Sequence, residues 1–210
     1  MNLLKNKYTK NICIFARRGI IPGIMKIAVY GGSFNPLHLG HKAIMEYLTL
    51  EAGYDWVYLV VTPQNPLKEK AAYSKSGEER YAAAVEAVCR HPEVHVWVDN
   101  IELEMDPPQY TIRTLDALKV REPENNFTLV MGADNLCGLA RWKDYRRILT
   151  EYGVAVFPRR GYHRGHARAR LLRECPGARI RLLDAPLVTI SSTEIREGLA
   201  AGKDMSHWLM

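Results

Sequence analysis

From Lys26 onward, short runs rich in β-branched and aromatic residues alternate with stretches whose apolar side chains recur every three to four positions. KIAVYG (26–31), WVYLVVT (56–62), VHVWV (94–98), FTLVMG (127–132), VAVFP (154–158) and RIRLLD (179–184) read as strands. Several are nearly continuous in apolar character, which is the pattern of strands covered on both faces. Between them the spacing predicts helices over roughly 40–52, 78–90, 110–120, 142–151, 165–174 and 192–200. The segment Glu78 to Cys89 is the clearest, with Tyr81, Ala84, Val85 and Val88 on one face. Ser76 followed by Glu79 reads as its capping box. Strand and helix alternating six times predict one doubly wound α/β domain, its mostly parallel sheet flanked by helices.

The longest irregular pieces are 63–76 and 99–109, both rich in Pro, Lys and acids. Loops at the carboxyl ends of parallel strands are where such folds bind ligands. The net charge of +6 prompts a nucleic-acid hypothesis, but its distribution argues against one. Residues 1–25 carry Lys5, Lys7, Lys10, Arg17 and Arg18 and no acid, and the remainder is nearly balanced. Within that remainder, 159–181 holds eight arginines against Glu174 alone. Such a patch suits a phosphorylated ligand or a solvated surface helix better than duplex DNA, and no nucleic-acid partner is expected. Residues 1–25 are expected to be a non-native or disordered extension, with the domain over 26–210. Cys13, Cys89, Cys137 and Cys175 are widely spaced singles, neither a zinc site nor a disulfide framework, which fits a cytoplasmic protein. No apolar run approaches the ~20 residues needed to span a bilayer, so no membrane partner is expected. A homo-oligomer is compatible with the composition.

GGSFNPLHLGH (31–41) sits between the first strand and the first helix. Gly31 and Gly32 let backbone approach a ligand closely, Pro36 pre-sets helix entry, and the amides that follow form an anion site at a helix start. Neither G-x-G-x-x-G nor a G-K-[ST] lysine is present. His38 and His41, three apart, share a helix face. No cysteine or third histidine stands at ligand spacing, which disfavours zinc. They read either as satisfied structural histidines or as donors to phosphate oxygens, one of them cationic when phosphate is bound. Gly40 between them would let a nucleotide lie against the helix. ISSTEIR (190–196) carries a second capping box, Ser191 with Glu194, so another helix tip offers free amides and hydroxyls. Arg196 adds a planar, permanently charged fork suited to polyphosphate.

GGSFNPLHLGH resembles the G-x-[ST]-F-[DN]-P-x-H-x-G-H signature of the nucleotidyltransferase superfamily, and ISSTEIR resembles its S-x-T-x-I-R hallmark. From about Lys26 to Met210 the chain is similar to bacterial nicotinate-mononucleotide adenylyltransferases. It shares in kind TPQNPLKEK (62–70), PPQYTIRTLDAL (107–118), MGADNL (131–136), RWKDYRRI (141–148) and FPRRGY (157–162). The resemblance implies a Rossmann-like fold and transfer of the adenylyl group of ATP to nicotinate mononucleotide, with Mg²⁺ bound mainly through the ATP phosphates. It implies that His38, His41, Lys68 and Arg196 carry catalysis. It implies ATP contacts from Gly31, Gly32, Ser33, Phe34, Gly40, Gly132, Asp134, Ile190, Ser191, Ser192 and Thr193. Asn35, Thr111 and Trp142 would bind the acceptor, Trp142 by stacking on the pyridine ring. Ser33 and Asn35 stand where Thr and Asp are frequent, and Asn35 is not expected to bind metal. Two alternatives stay open: a transferase for phosphopantetheine or glycerol phosphate, and a nucleotide-binding regulatory module with little turnover.

Overall fold

The most continuous apolar run of the chain becomes its most buried strand, β2 (Trp56–Val61), in which every residue is buried. Beside it lies β1 (Lys26–Gly32), buried from Ile27 to Tyr30. The computed structural model describes residues 23–63 and 75–210. Lys68 and most of the expected N-terminal extension therefore lie outside the described residues. In chain order the remaining elements are α1 (Leu39–Leu50), α2 (Gly77–Arg90), β3 (Val96–Asp99), α3 (Thr111–Arg121), β4 (Asn126–Gly132) and α4 (Ala133–Gly138). Then come α5 (Tyr145–Arg147), β5 (Val154–Phe157), α6 (Arg164–Glu174), β6 (Ile180–Leu182) and α7 (Ser192–Ala200). No described helix is long and apolar enough to cross a membrane.

The six strands pair in the order β3-β2-β1-β4-β5-β6, every pairing parallel. Strand alternation sorts the core into two layers. Ala28 and Tyr30 face Ile44, Met45 and Leu48 of α1 and Val85 and Val88 of α2. Ile27 and Val29 face Ile112, Leu115 and Leu118 of α3, with Leu171 of α6 on the same side. Each fully buried aliphatic side chain of this kind stabilises the fold by about 1.5–3 kcal/mol. Both predicted capping boxes form: Glu79 N donates to Ser76 Oγ at 3.1 Å, and Glu194 N to Ser191 Oγ at 3.2 Å.

Two expectations need correction. The helix expected over 142–151 is broken. Trp142 is extended, Asp144 is left-handed at φ 49°, and only one α-turn forms, in α5, before a π-turn over Ile148–Tyr152. The helix α4 was not anticipated, because six residues are too few for a 3.6-residue periodicity to register. The arginine-rich stretch also acquires a structural use. Arg168 Nε donates to Ile180 O at 3.1 Å, Arg170 to Cys137 O at 2.9 Å and Arg181 to Ala52 O at 2.7 Å. Arg164 donates to Leu183 O, and Arg179 to Glu151 O at 2.5 Å. Guanidinium forks thus stitch α6 and β6 to their neighbours by capping carbonyls.

Candidate active site

Strand order reverses between β1 and β4, and in open parallel sheets the crevice at that reversal binds ligands. A cleft of about 410 Å³ opens there, at the carboxyl ends of both strands. Gly31, Gly32, Ser33 and Phe34 form one wall, Gly132 and Asp134 the opposite one, and Ser191, Ser192, Thr193 and Arg196 close the side. Thr111 and Trp142 line the far end. His38 and His41 also line the cleft.

The turn after β1 is shaped by packing. Phe34 is buried with φ 43°, an uncommon conformation for a bulky residue. A Cβ on Gly32 would stand 2.9 Å from the Phe34 ring, so this glycine makes room for it. Phe34 meets Tyr30 edge-on at 5.5 Å and His41 at 5.1 Å. Those contacts hold the His41 ring from one side, and the His38 ring lies 3.7 Å away on the other. His38 caps α1: its carbonyl accepts His41 N at 2.8 Å, and its own amide donates to His41 Nδ1 at 3.2 Å. An accepting Nδ1 assigns the proton of the neutral ring to Nε2.

Both rings are neutral at ordinary pH. Burial, then the nearby Arg159 charge, pull His38 down to about 4, with Glu194 opposing. His41 is held well below the usual histidine range by burial first, then by His38 and Arg159. The ligand-free site thus offers a neutral Nε2–H donor at His41 rather than a cation.

The two motifs are tied to each other directly. Ser192 Oγ donates to Pro36 O at 3.0 Å, and Arg196 Nη1 donates to Asn35 O at 2.7 Å. Arg196 Nη2 also reaches Thr193 Oγ1 at 3.1 Å, which fixes the fork in place. Positions about 160 residues apart in sequence therefore form one rigid edge of the cleft.

Three residues expected in the site lie off the cleft wall. Asn35 is buried and contributes its carbonyl to Arg196, while its Nδ2 has no partner among the described residues. Ile190 precedes the α7 cap and does not line the cleft. Gly40 is buried, and a Cβ there would stand 2.3 Å from Val188 Cγ1 and 3.0 Å from the His38 ring. The glycine admits close packing of Val188 and His38.

Arg159 is the residue that sequence reasoning missed. It falls in the arginine-rich stretch that suits a phosphorylated ligand or a solvated surface helix, and it lines the cleft, with Nε buried and without a hydrogen-bond partner among the described residues. Its guanidinium stands 5.3 Å over the Phe157 ring, and Nε is 3.9 Å from Asp134 Oδ1. Its place just past the carboxyl end of β5, beside β4, was the available signal. Gly132 is a close-approach glycine here, since a Cβ would meet Asp134 Oδ1 at 2.3 Å and Arg159 Cγ at 3.1 Å. At the far end Thr111 opens α3, whose N-cap Tyr110 makes no side-chain cap, and Arg141 and Lys143 flank Trp142 along the cleft. Glu102 is buried beneath, bonded to Thr114 Oγ1 at 2.7 Å, and burial raises its carboxyl above the usual range. Arg141, Lys143, Arg159 and Arg196 line the cleft against the carboxyl groups of Asp134 and Glu102, and this excess of positive charge suits an anion.

Residues 29–198 match the family model described as Cytidylyltransferase-like. The chain belongs to that family. Among curated relatives, the "Probable nicotinate-nucleotide adenylyltransferase" of Bacteroides fragilis is 36% identical over 184 residues, covering 88% of this chain and 87% of that one. The protein of the same name from Porphyromonas gingivalis is 36% identical over 188 residues, with 88% and 89% covered. Among solved structures, Plasmodium falciparum nicotinic acid mononucleotide adenylyltransferase complexed with NaAD superposes with a TM-score of 0.71 at 18% identity, over 87% of each chain. At that identity the last likeness is one of fold, and it agrees with the Rossmann-like architecture of this cytidylyltransferase-like domain.

Proposed function

We propose that this protein is an adenylyltransferase of NAD synthesis, joining ATP and nicotinate mononucleotide into nicotinate adenine dinucleotide with release of pyrophosphate. The observation that carries the reading is the close, tilted His38–His41 ring pair, its Nε2–H donor set at a helix start and cross-tied to the Arg196 fork. The relatives' shared name supports the same reaction.

A phosphate oxygen of the mononucleotide attacks the α-phosphorus of ATP. A new P–O bond forms as the bond to the α,β-bridging oxygen breaks, and pyrophosphate leaves. The nucleophile is already anionic, so no general base is required, and a neutral ring donating through Nε2 is suited to developing negative charge on phosphoryl oxygens. His41, supported by His38, stabilises the transferred group. Arg196, Lys68 and the amides at the α7 tip hold the leaving pyrophosphate, with Arg159 adding positive charge from the opposite wall. Among the described residues no group of three His, Cys, Asp or Glu side chains could hold a metal. Mg²⁺ would be bound mainly through the ATP phosphates, where it would offset their charge. Asp134 and Gly132 sit where the adenosine sugar would rest, and Trp142 stacks on the pyridine ring. The uncapped start of α3 at Thr111, with Arg141 and Lys143 nearby, favours an acceptor bearing a carboxylate. The reaction belongs in the cytoplasm.

The test is pyrophosphate release from ATP and Mg²⁺ with a panel of acceptors. Nicotinate mononucleotide is expected to be used best, nicotinamide mononucleotide less well and phosphopantetheine not at all. Preferred use of phosphopantetheine, or release with no acceptor in the panel, would overturn the assignment.

A further inference from the structure

Arg80 is among the most completely buried large side chains of the molecule, 1% exposed, and it lies outside the cleft. The Ser76–Glu79 capping box sets the first turn of α2, and Arg80 follows immediately, pointing inward. Its fork ends on main-chain carbonyls from three separate segments. Nη1 donates to Ser33 O at 2.6 Å and Thr62 O at 2.8 Å, and Nη2 donates to Pro63 O at 2.8 Å. Nε reaches Lys75 O at 3.4 Å. Ser33 belongs to the glycine-rich turn, Thr62 and Pro63 follow β2, and Lys75 leads into α2. A second bond draws two of these segments together, with Thr62 N donating to Gly32 O at 2.9 Å.

We infer that Arg80 is a positioning residue for ATP: by gripping the Ser33 carbonyl it aims the Phe34 amide into the cleft. The argument is peptide geometry. In a trans peptide the carbonyl oxygen of one residue and the N–H of the next point in opposite directions. Ser33 O turned toward buried Arg80 therefore turns the Phe34 N–H away from it, to the side on which Ser33 and Phe34 line the cleft. The left-handed φ of Phe34 is held in the same arrangement. A planar five-donor fork can engage four carbonyls at fixed angles, whereas a lysine ammonium on a flexible stem cannot reproduce that set. The inference rests on the reading that ATP phosphates occupy this cleft.

Two measurements test it. In Arg80→Lys, which keeps the charge and loses the fork, kcat/KM for ATP is expected to fall about tenfold to a hundredfold, as for other small misplacements of a reacting group. KM for nicotinate mononucleotide should stay within about twofold, since Trp142 and Thr111 are held by other elements. A folded variant with wild-type ATP kinetics, or one in which both KM values rise together, overturns the inference. The second measurement needs no variant: adding a non-hydrolysable ATP analogue with Mg²⁺ to the wild-type chain should slow hydrogen exchange at the Phe34 amide. An unprotected Phe34 amide at saturating analogue also overturns it, whether or not Arg80→Lys folds. A wild-type chain that shows this protection yet releases no pyrophosphate would refute the proposed reaction and uphold the role of Arg80.

Discussion

At the scale of single residues, burial keeps charge off the paired histidines of the cleft. Burial and Arg159 hold His38 at about 4, against 6.5 for a free imidazole. The sign of the consequence for stability is fixed by proton counting. Between those two values the unfolded chain binds a proton at this position that the folded chain does not, so stability rises with pH across the interval. Wild-type protein should therefore lose stability as pH falls from 6.5 toward about 4. His38→Gln should lose less, measured as urea midpoints at the two ends of that range. An equal loss in both proteins would show that His38 does not carry the effect. Trp142 is half-buried and packs against the lower core layer while also lining the cleft, so one side chain serves both ends. The proposed stacking role predicts that Trp142→Ala raises KM for the mononucleotide more than it lowers kcat. The reverse pattern, with a fallen thermal midpoint, would assign it to packing alone.

At the scale of elements, the helix that presents the histidines depends on one contact from far along the chain. Gly40 admits Val188 against the first turn of α1. Gly40→Ala should cost about 1–3 kcal/mol, as overpacked sites do, and should lower activity by displacing the His38 ring. Adding Val188→Ala should restore most of both, read as thermal midpoint and kcat. Failure of that second change to restore either would separate Gly40 from Val188. The same contact shows what sequence can reveal. The six strands were legible because a strand buried on both faces must be apolar throughout, and α2 and α7 because capping boxes are local in sequence. The packing use of Gly40 was not legible because its partner lies 148 positions away, and such contacts leave no local pattern. Arg159 was not singled out for a related reason: its place in the cleft comes from where β5 ends beside β4, not from its neighbours in the chain. The break at Asp144 is a backbone choice that its side chain permits without announcing.

At the scale of the whole molecule, the fold brings two distant motifs to one reversal in strand order and ties them by Ser192 to Pro36 and Arg196 to Asn35. In the proposed function neither half makes a phosphate site alone. The glycine-rich turn supplies the histidine donor and backbone, and the α7 tip supplies the fixed cation. Cationic side chains outnumber carboxyl groups along the cleft, which suits a substrate pair carrying several phosphates. The central claim is that this clamp stabilises a phosphoryl group in transfer through His41. The most direct test is kcat of His41→Ala at saturating ATP and nicotinate mononucleotide, on protein whose thermal midpoint shows the fold intact. Loss of a positioned donor is worth about 2.7–4 kcal/mol, so kcat should fall by about two to three orders of magnitude. A rate near that of the wild type would contradict the account.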